Sequence, residues 1–272
     1  MTYSTLLVHL DGARPNTTLL DVTATLAARF DAKVIGVAAC QPVQIGSCDG
    51  YMDGALAVAV RDIVTEELAH AKTEFHAHPG LQPHILDWRS IPTLDTVAHA
   101  VAMLARCVDL LVTSVGPTPG DPTTHADTGD LVLNAGRPVL VVPETRATAD
   151  FRNVVVGWTD TRECRRAIVD ALPFLHHAER VTLVEASYDP VEARRGIDDI
   201  TAWLDRHGIG ADRINTRVKG SPTSTLQAIA DDVEADLIVA GAYGHSRIRE
   251  WAFGGVTRDL LLHDHRCTLL SH

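Results

Sequence analysis

The chain has 272 residues, 46% of them hydrophobic and 22% charged, with a formal net charge of −11. That composition suits one large globular domain or two ordinary ones, and it excludes a mainly disordered chain. The acidic balance argues against nucleic acid or anionic membrane as a partner, and the five scattered cysteines, without a C-x-x-C pair, suggest neither a zinc site nor a disulfide framework.

The opening MTYSTLLVHLDGARP lacks a basic leader, and its apolar run is too short for a signal or membrane helix. A reducing cytoplasm is therefore the expected location. The first predicted strand lies in STLLVHLDG, from Ser4, and ends in a polar turn. QPVQIGSCDGYMDG (41–54) reads as a tolerated insertion, with a lid or partner-binding loop as the alternative. GALAVAVRDIV (54–64) reads as a buried helix. From Ser90 the chain runs through a Pro, an amphipathic helix, an Asp and a strand, and GRPVLVVP from Gly136 supplies a short closing strand.

The pattern then occurs again. RNVVVGWTD from Arg152 parallels the first strand, the segment from Ser221 parallels that from Ser90, and DHRCTLLSH from Asp264 parallels GRPVLVVP. The repeats span 1–146 and 150–272, joined by the polar linker PETRATAD (143–150). In the second repeat the predicted strands fall near 153–158, 180–185, 212–217, 236–240 and 267–271. The helices fall near 161–175, 190–206, 222–233 and 255–263.

Val154-Val155-Val156 and Leu237-Ile238-Val239 are continuous apolar runs, the mark of a sheet covered on both faces. Leu226, Ile229, Ala230 and Val233 recur at helical spacing, and Ser221 before Pro222 reads as an N-cap. The expected fold class is α/β, with two tandem doubly wound five-stranded parallel sheets of Rossmann-like type.

GAYGHSRIREWAFGGVT (241–257) has no counterpart in the first repeat. It follows the fourth predicted strand, at the edge where open α/β sheets bind ligands, and from Gly241 to Phe253 it is longer than most strand-to-helix loops. Gly241 and Gly244 would let backbone approach a ligand. Gly254, Gly255, Val256 and Thr257 open the next helix, whose free N–H groups suit an anion. Arg247 and Arg249 add positive charge, and Trp158 and Trp251 flank the pocket in sequence. From spacing alone, phosphate binding and a plain turn with a helix cap stand about equal.

These residues resemble the universal stress proteins in their tandem form, whose nucleotide motif is G-x2-G-x9-G-[S/T]. Gly241, Gly244 and Gly254 fit the spacing, and GSPTSTLQAIADDVEADLIVAGAYG is similar to the family's third helix and fourth strand. The resemblance implies an adenine nucleotide alpha-hydrolase-like fold, and pairing of the two domains within one chain as in the family's dimers. It implies ATP, ADP or AMP as ligand, with Mg as a companion ion, and leaves a further homodimer open. Gly157, Trp158, Thr159 and Val184 take the adenine and ribose positions; Gly241, Gly244, Gly254, Gly255, Val256 and Thr257 take the phosphate positions.

Two residues depart from the pattern, Gly255 replacing the motif's hydroxyl residue and Thr159 the Asp that many binders place after the first strand. The first repeat keeps Asp11-Gly12 there, but it lacks the glycine spacing and puts Asp121, Asp127 and Asp130 where phosphates would sit. It reads as a partner domain with a degenerate site. No catalytic nucleophile can be nominated, so the expectation is a nucleotide-binding regulator, with a nucleotide-free adaptor or a slow ATP hydrolase as alternatives. His76, His78, His263, His265 and His272 form no metal framework, and His176-His177 suits a helix C-terminus.

Overall fold

The computed structural model describes residues 2–41, 54–115, 124–144, 149–188, 190–242 and 265–272, with backbone alone for 54–60 and 190–195. Strands and helices alternate through each repeat. The first contains β1 (Thr5–His9), α1 (Thr17–Phe30), β2 (Lys33–Cys40), α2 (Gly54–Ala77), β3 (Ile85–Pro92), α3 (Val97–Ala102), β4 (Leu110–Ser114), α4 (Thr128–Ala135) and β5 (Val139–Val142). The second contains β6 (Asn153–Gly157), α5 (Arg162–Leu175), β7 (Arg180–Ser187), α6 (Pro190–Arg206), β8 (Ala211–Arg217), α7 (Pro222–Asp232), β9 (Leu237–Gly241) and β10 (Cys267–Ser271). The helix predicted at 255–263 lies outside the described residues.

Among the described residues the strands form one sheet in the order β3-β2-β1-β4-β5-β10-β9-β6-β7-β8. Each repeat has the order expected of a doubly wound unit, with parallel neighbours. The two tandem five-stranded parallel sheets expected are both present and are joined at their edges, where β5 and β10 pair antiparallel with Leu269 opposite Leu140. Each would otherwise be an unpaired edge, and pairing satisfies both rows of backbone donors and acceptors.

Alternation along the central strands divides the core into two layers. Leu6, Val8, Val154, Val156, Leu237 and Val239 face one way, beneath α1, α2, α5 and α6. Leu7, Val155 and Ile238 face the other, beneath α3, α4 and α7. Burying each such side chain contributes about 1.5–3 kcal/mol, so the continuous apolar runs keep helices on both faces. Helix α7 starts as its sequence predicts: the Ser221 hydroxyl accepts from Ser224 N–H, and the Ser224 side chain returns the bond to the Ser221 backbone.

The helix expected at 54–64 is longer, running to Ala77, and it is not wholly buried. Ile63 is exposed while Val64, Leu68, Ala71 and Phe75 face the core. The predicted linker also contains two buried residues, Pro143 and Ala149, and ends in the exposed Asp150. No helix among the described residues is long and apolar enough to cross a membrane.

Candidate ligand-binding site

In each repeat the chain leaves the first strand for neighbours on opposite sides: β1 lies between β2 and β4, and β6 between β7 and β9. Such switch points open a crevice beyond the carboxyl ends of the strands. Two crevices are therefore set by topology, and their side chains differ.

At the β6–β9 switch point, Gly157 ends β6, and a Cβ there would lie 3.0 Å from Leu226 Cδ2 of α7. The missing side chain thus brings α7 close. Trp158 N–H donates to Val184 O at 2.8 Å, extending the ladder by one residue. The indole does not line an open pocket. It is 5% exposed and packs in the α5–α6 layer, with Nε1 unpartnered. Val184 is buried in the opposite layer, whereas Thr159 is exposed. The four residues assigned to adenine and ribose therefore share one sheet edge but divide between its faces.

Gly241 has a packing reason of its own. A Cβ at this position would lie 2.5 Å from Cys164 N and 2.6 Å from Glu163 C, so the first turn of α5 fills the space. Gly244, Gly254, Gly255, Val256 and Thr257, with Arg247, Arg249 and Trp251, lie outside the described residues. Sequence reading missed Glu185, one residue beyond Val184. It is 6% exposed, Oε2 has no partner, and burial, reinforced by Asp160, pushes its carboxyl up to about 7.

The β1–β4 switch point is filled with polar side chains. Matching the strand registers places His9 where the second repeat has Gly157, Asp11 where it has Thr159, and Thr113 where it has Ala240. His9 is fully buried, with Nδ1 3.1 Å from Thr113 Oγ1. Burial lowers its imidazole to about 3, His125 adds to the shift, and Asp11 only partly offsets it.

Asp11 accepts from Ala13 N–H at 2.9 Å and from Arg14 Nε at 3.0 Å, and its Oδ2 lies 3.3 Å from His125 Nδ1. Burial raises its carboxyl, but the bonds from His125, Ala13 and Arg14 outweigh that and hold it below the usual range. Arg14 also pairs with Glu144. His9 was recognisable only as a polar residue inside the apolar run LLVHL; no local signal marked His125 as its neighbour.

Of the three aspartates expected near a phosphate in the first repeat, Asp127 caps α4 by accepting from Asp130 N–H at 2.8 Å. Burial, with Asp127 beside it, raises the Asp130 carboxyl, and Asp121 lies outside the described residues. Among the described residues no group of three or more His, Cys, Asp or Glu side chains is placed to hold a metal. His176 ends α5, and His177 Nδ1 lies 2.8 Å from Pro173 O, as helix-end histidines do.

The fold and its two crevices define a tandem, doubly wound α/β protein of the kind that places ligands at strand ends. The family model described as the universal stress protein family matches residues 204–266. A universal stress protein from Archaeoglobus fulgidus aligns with a TM-score of 0.74 and 10% identity, over 98% of this chain and 95% of that one. A functionally unknown protein from Pseudomonas aeruginosa aligns with 0.61 and 12%, over 99% and 92%. A candidate universal stress protein from a second Pseudomonas aeruginosa strain gives 0.59 and 13%, over 98% and 92%. No curated protein matches the chain. The matched segment is thus similar to the universal stress protein family, and the whole chain has the fold of the two-repeat universal stress protein it aligns with.

Proposed function

We propose that the second repeat, residues 150–272, binds ATP or another adenine nucleotide beyond β6 and β9, with Mg as a companion ion. Residues 1–146 form its paired domain, and the whole acts in the cytoplasm as a stress-response regulator without dedicated catalysis. The observation carrying this reading is the contrast in register. Gly157 and Ala240 in the second repeat stand where the first has His9 and Thr113, so that strand end lacks the imidazole and hydroxyl that fill the first, with Leu226 of α7 packed on Gly157. The glycine motif from Gly241 to Thr257 follows directly, and backbone N–H groups can hold phosphate whatever the side chain at 255. The β5–β10 ladder supports the domain pairing.

Isothermal titration with ATP is the test. Heat of binding and an ATP-dependent rise in melting temperature are expected, both reduced by Gly244→Val. No heat and no shift at millimolar nucleotide would sink the reading.

The packing of α5 on Gly241 favours a second reading, a nucleotide-free adaptor whose glycine is retained for close helix contact. It predicts protein purified without added ligand to carry no nucleotide by mass spectrometry, where the first reading expects an adenine nucleotide.

A further inference from the structure

The first repeat contains two buried imidazoles that the nucleotide reading does not use. His9 and His125 are 0% and 6% exposed, and their rings lie 5.9 Å apart, centroid to centroid. Each has Nδ1 beside an oxygen partner, Thr113 Oγ1 for His9 and Asp11 Oδ2 for His125, and Arg14 Nη2 also lies 3.3 Å from His125 Nδ1. Each has Nε2 buried and without a hydrogen-bond partner. A buried polar atom left unpaired costs about 1–3 kcal/mol, so two beside each other at a ligand-binding edge need a physical reason.

Asp11 only accepts hydrogen bonds while ionised, so in the tautomer that places Nδ1–H toward it His125 has the lone pair of Nε2 free. The Thr113 hydroxyl can donate or accept, and in the tautomer in which it accepts from His9 Nδ1–H the second ring also has Nε2 free. A carboxylate on the far nitrogen, as Asp11 supplies to His125, is a usual outer support of metal-bound histidines. Two imidazoles on one ion at Zn–N distances of about 2.0–2.1 Å have centroids roughly 5–6 Å apart, the range seen here.

The surrounding charge selects the sign of the ligand. Besides Asp11 there are Glu144, paired with Arg14, and Glu74, which accepts from Asn16 at 2.7 and 2.8 Å. Glu67 packs against Gly12. Arg14, already engaged by Asp11 and Glu144, leaves the acidic side in excess, which disfavours an anion and favours a cation.

We propose that His9 and His125 bind one imidazole-favouring transition-metal cation, of the class of Zn2+, Ni2+ or Cu2+, at the β1–β4 switch point. Asp11 and Thr113 act as its positioning residues. Two protein nitrogens leave the ion's remaining positions to water or a small ligand, so the site suits exchangeable binding rather than a closed structural zinc.

The test is calorimetric titration of the chelator-treated full chain with Zn2+. One ion per chain is expected, with affinity reduced at least about tenfold by His9→Ala or His125→Ala and about 10–100-fold by Asp11→Asn. His177→Ala, at the surface end of α5, should leave it unchanged. Circular dichroism establishes that each variant is folded. Because a core variant can fail to fold, wild-type protein loaded with one equivalent of Cu2+ provides an independent readout, electron paramagnetic resonance showing hyperfine coupling to two nitrogens. Absence of stoichiometric uptake, full affinity in both folded histidine variants, or a Cu2+ spectrum without nitrogen coupling would each overturn the proposal.

Discussion

Gly241 shows how one residue can satisfy a motif for a reason unrelated to ligand. Its place in G-x2-G-x9-G suggests room for a phosphate, yet the first turn of α5 occupies the position of its missing Cβ. Gly241→Ala should therefore destabilise the fold at the upper end of the roughly 1–3 kcal/mol typical of overpacking, measured as a lower urea midpoint with nucleotide absent. A binding defect in that variant would report on folding, which is why Gly244 is the better probe of the loop. Glu185 gives a pH-dependent counterpart. Its folded carboxyl, raised to about 7, keeps a proton that the unfolded chain loses near 4.5. Stability from this residue is thus fully present below about 4.5, and it declines as pH rises to about 7. Allowing for solvent screening, Glu185→Gln should gain about 1–2 kcal/mol on wild type between pH 5 and pH 8. Chemical denaturation at the two pH values measures it, and an unchanged difference between the proteins would remove Glu185 as a desolvated acid.

At the scale of elements, the sequence pattern was informative wherever local chemistry and burial agree. β6, β8, β9, β10, α5, α6 and α7 begin and end within a residue or two of the expected bounds, because apolar runs, capping residues and polar turns are local signals. The Ser221 cap is the sharpest of these. Ser221→Ala removes both halves of a reciprocal capping pair and should cost about 0.5–2 kcal/mol, read as a lower melting temperature, with Ser221→Asp losing much less. What stayed illegible depended on contacts between distant segments. The face chosen by Trp158, the seating of α5 on Gly241 and the convergence of His9, Thr113 and His125 are all set by crossovers that bring together residues distant in the chain, His9 and Thr113 being 104 positions apart. Spacing along the chain has no access to such neighbours. It pointed to the strand ends of the second repeat and overlooked the polar filling of the first.

Over the whole molecule, the two repeats are joined by more than the β5–β10 ladder. Phe174 of α5 packs against Tyr3 at 5.1 Å and Phe30 at 5.6 Å, both from the first repeat, and against Phe151 at 5.2 Å near the start of the second. Tyr3 continues the link by donating its hydroxyl to Asp170 O at 2.5 Å. A residue touching both repeats stabilises each through the other, so unfolding either one exposes apolar surface on its neighbour. The chain should consequently unfold in a single calorimetric transition despite its internal repetition. Phe174→Ala leaves a cavity at this junction and should cost about 3–5 kcal/mol. The decisive feature is how that loss is distributed. If the aromatic junction couples the repeats, the variant retains one transition at lower temperature, or it splits into two with neither repeat as stable as before. A variant in which one repeat melts at the wild-type temperature while the other falls would show that the junction belongs to one repeat alone, and that the β5–β10 ladder is not enough to make their folding cooperative.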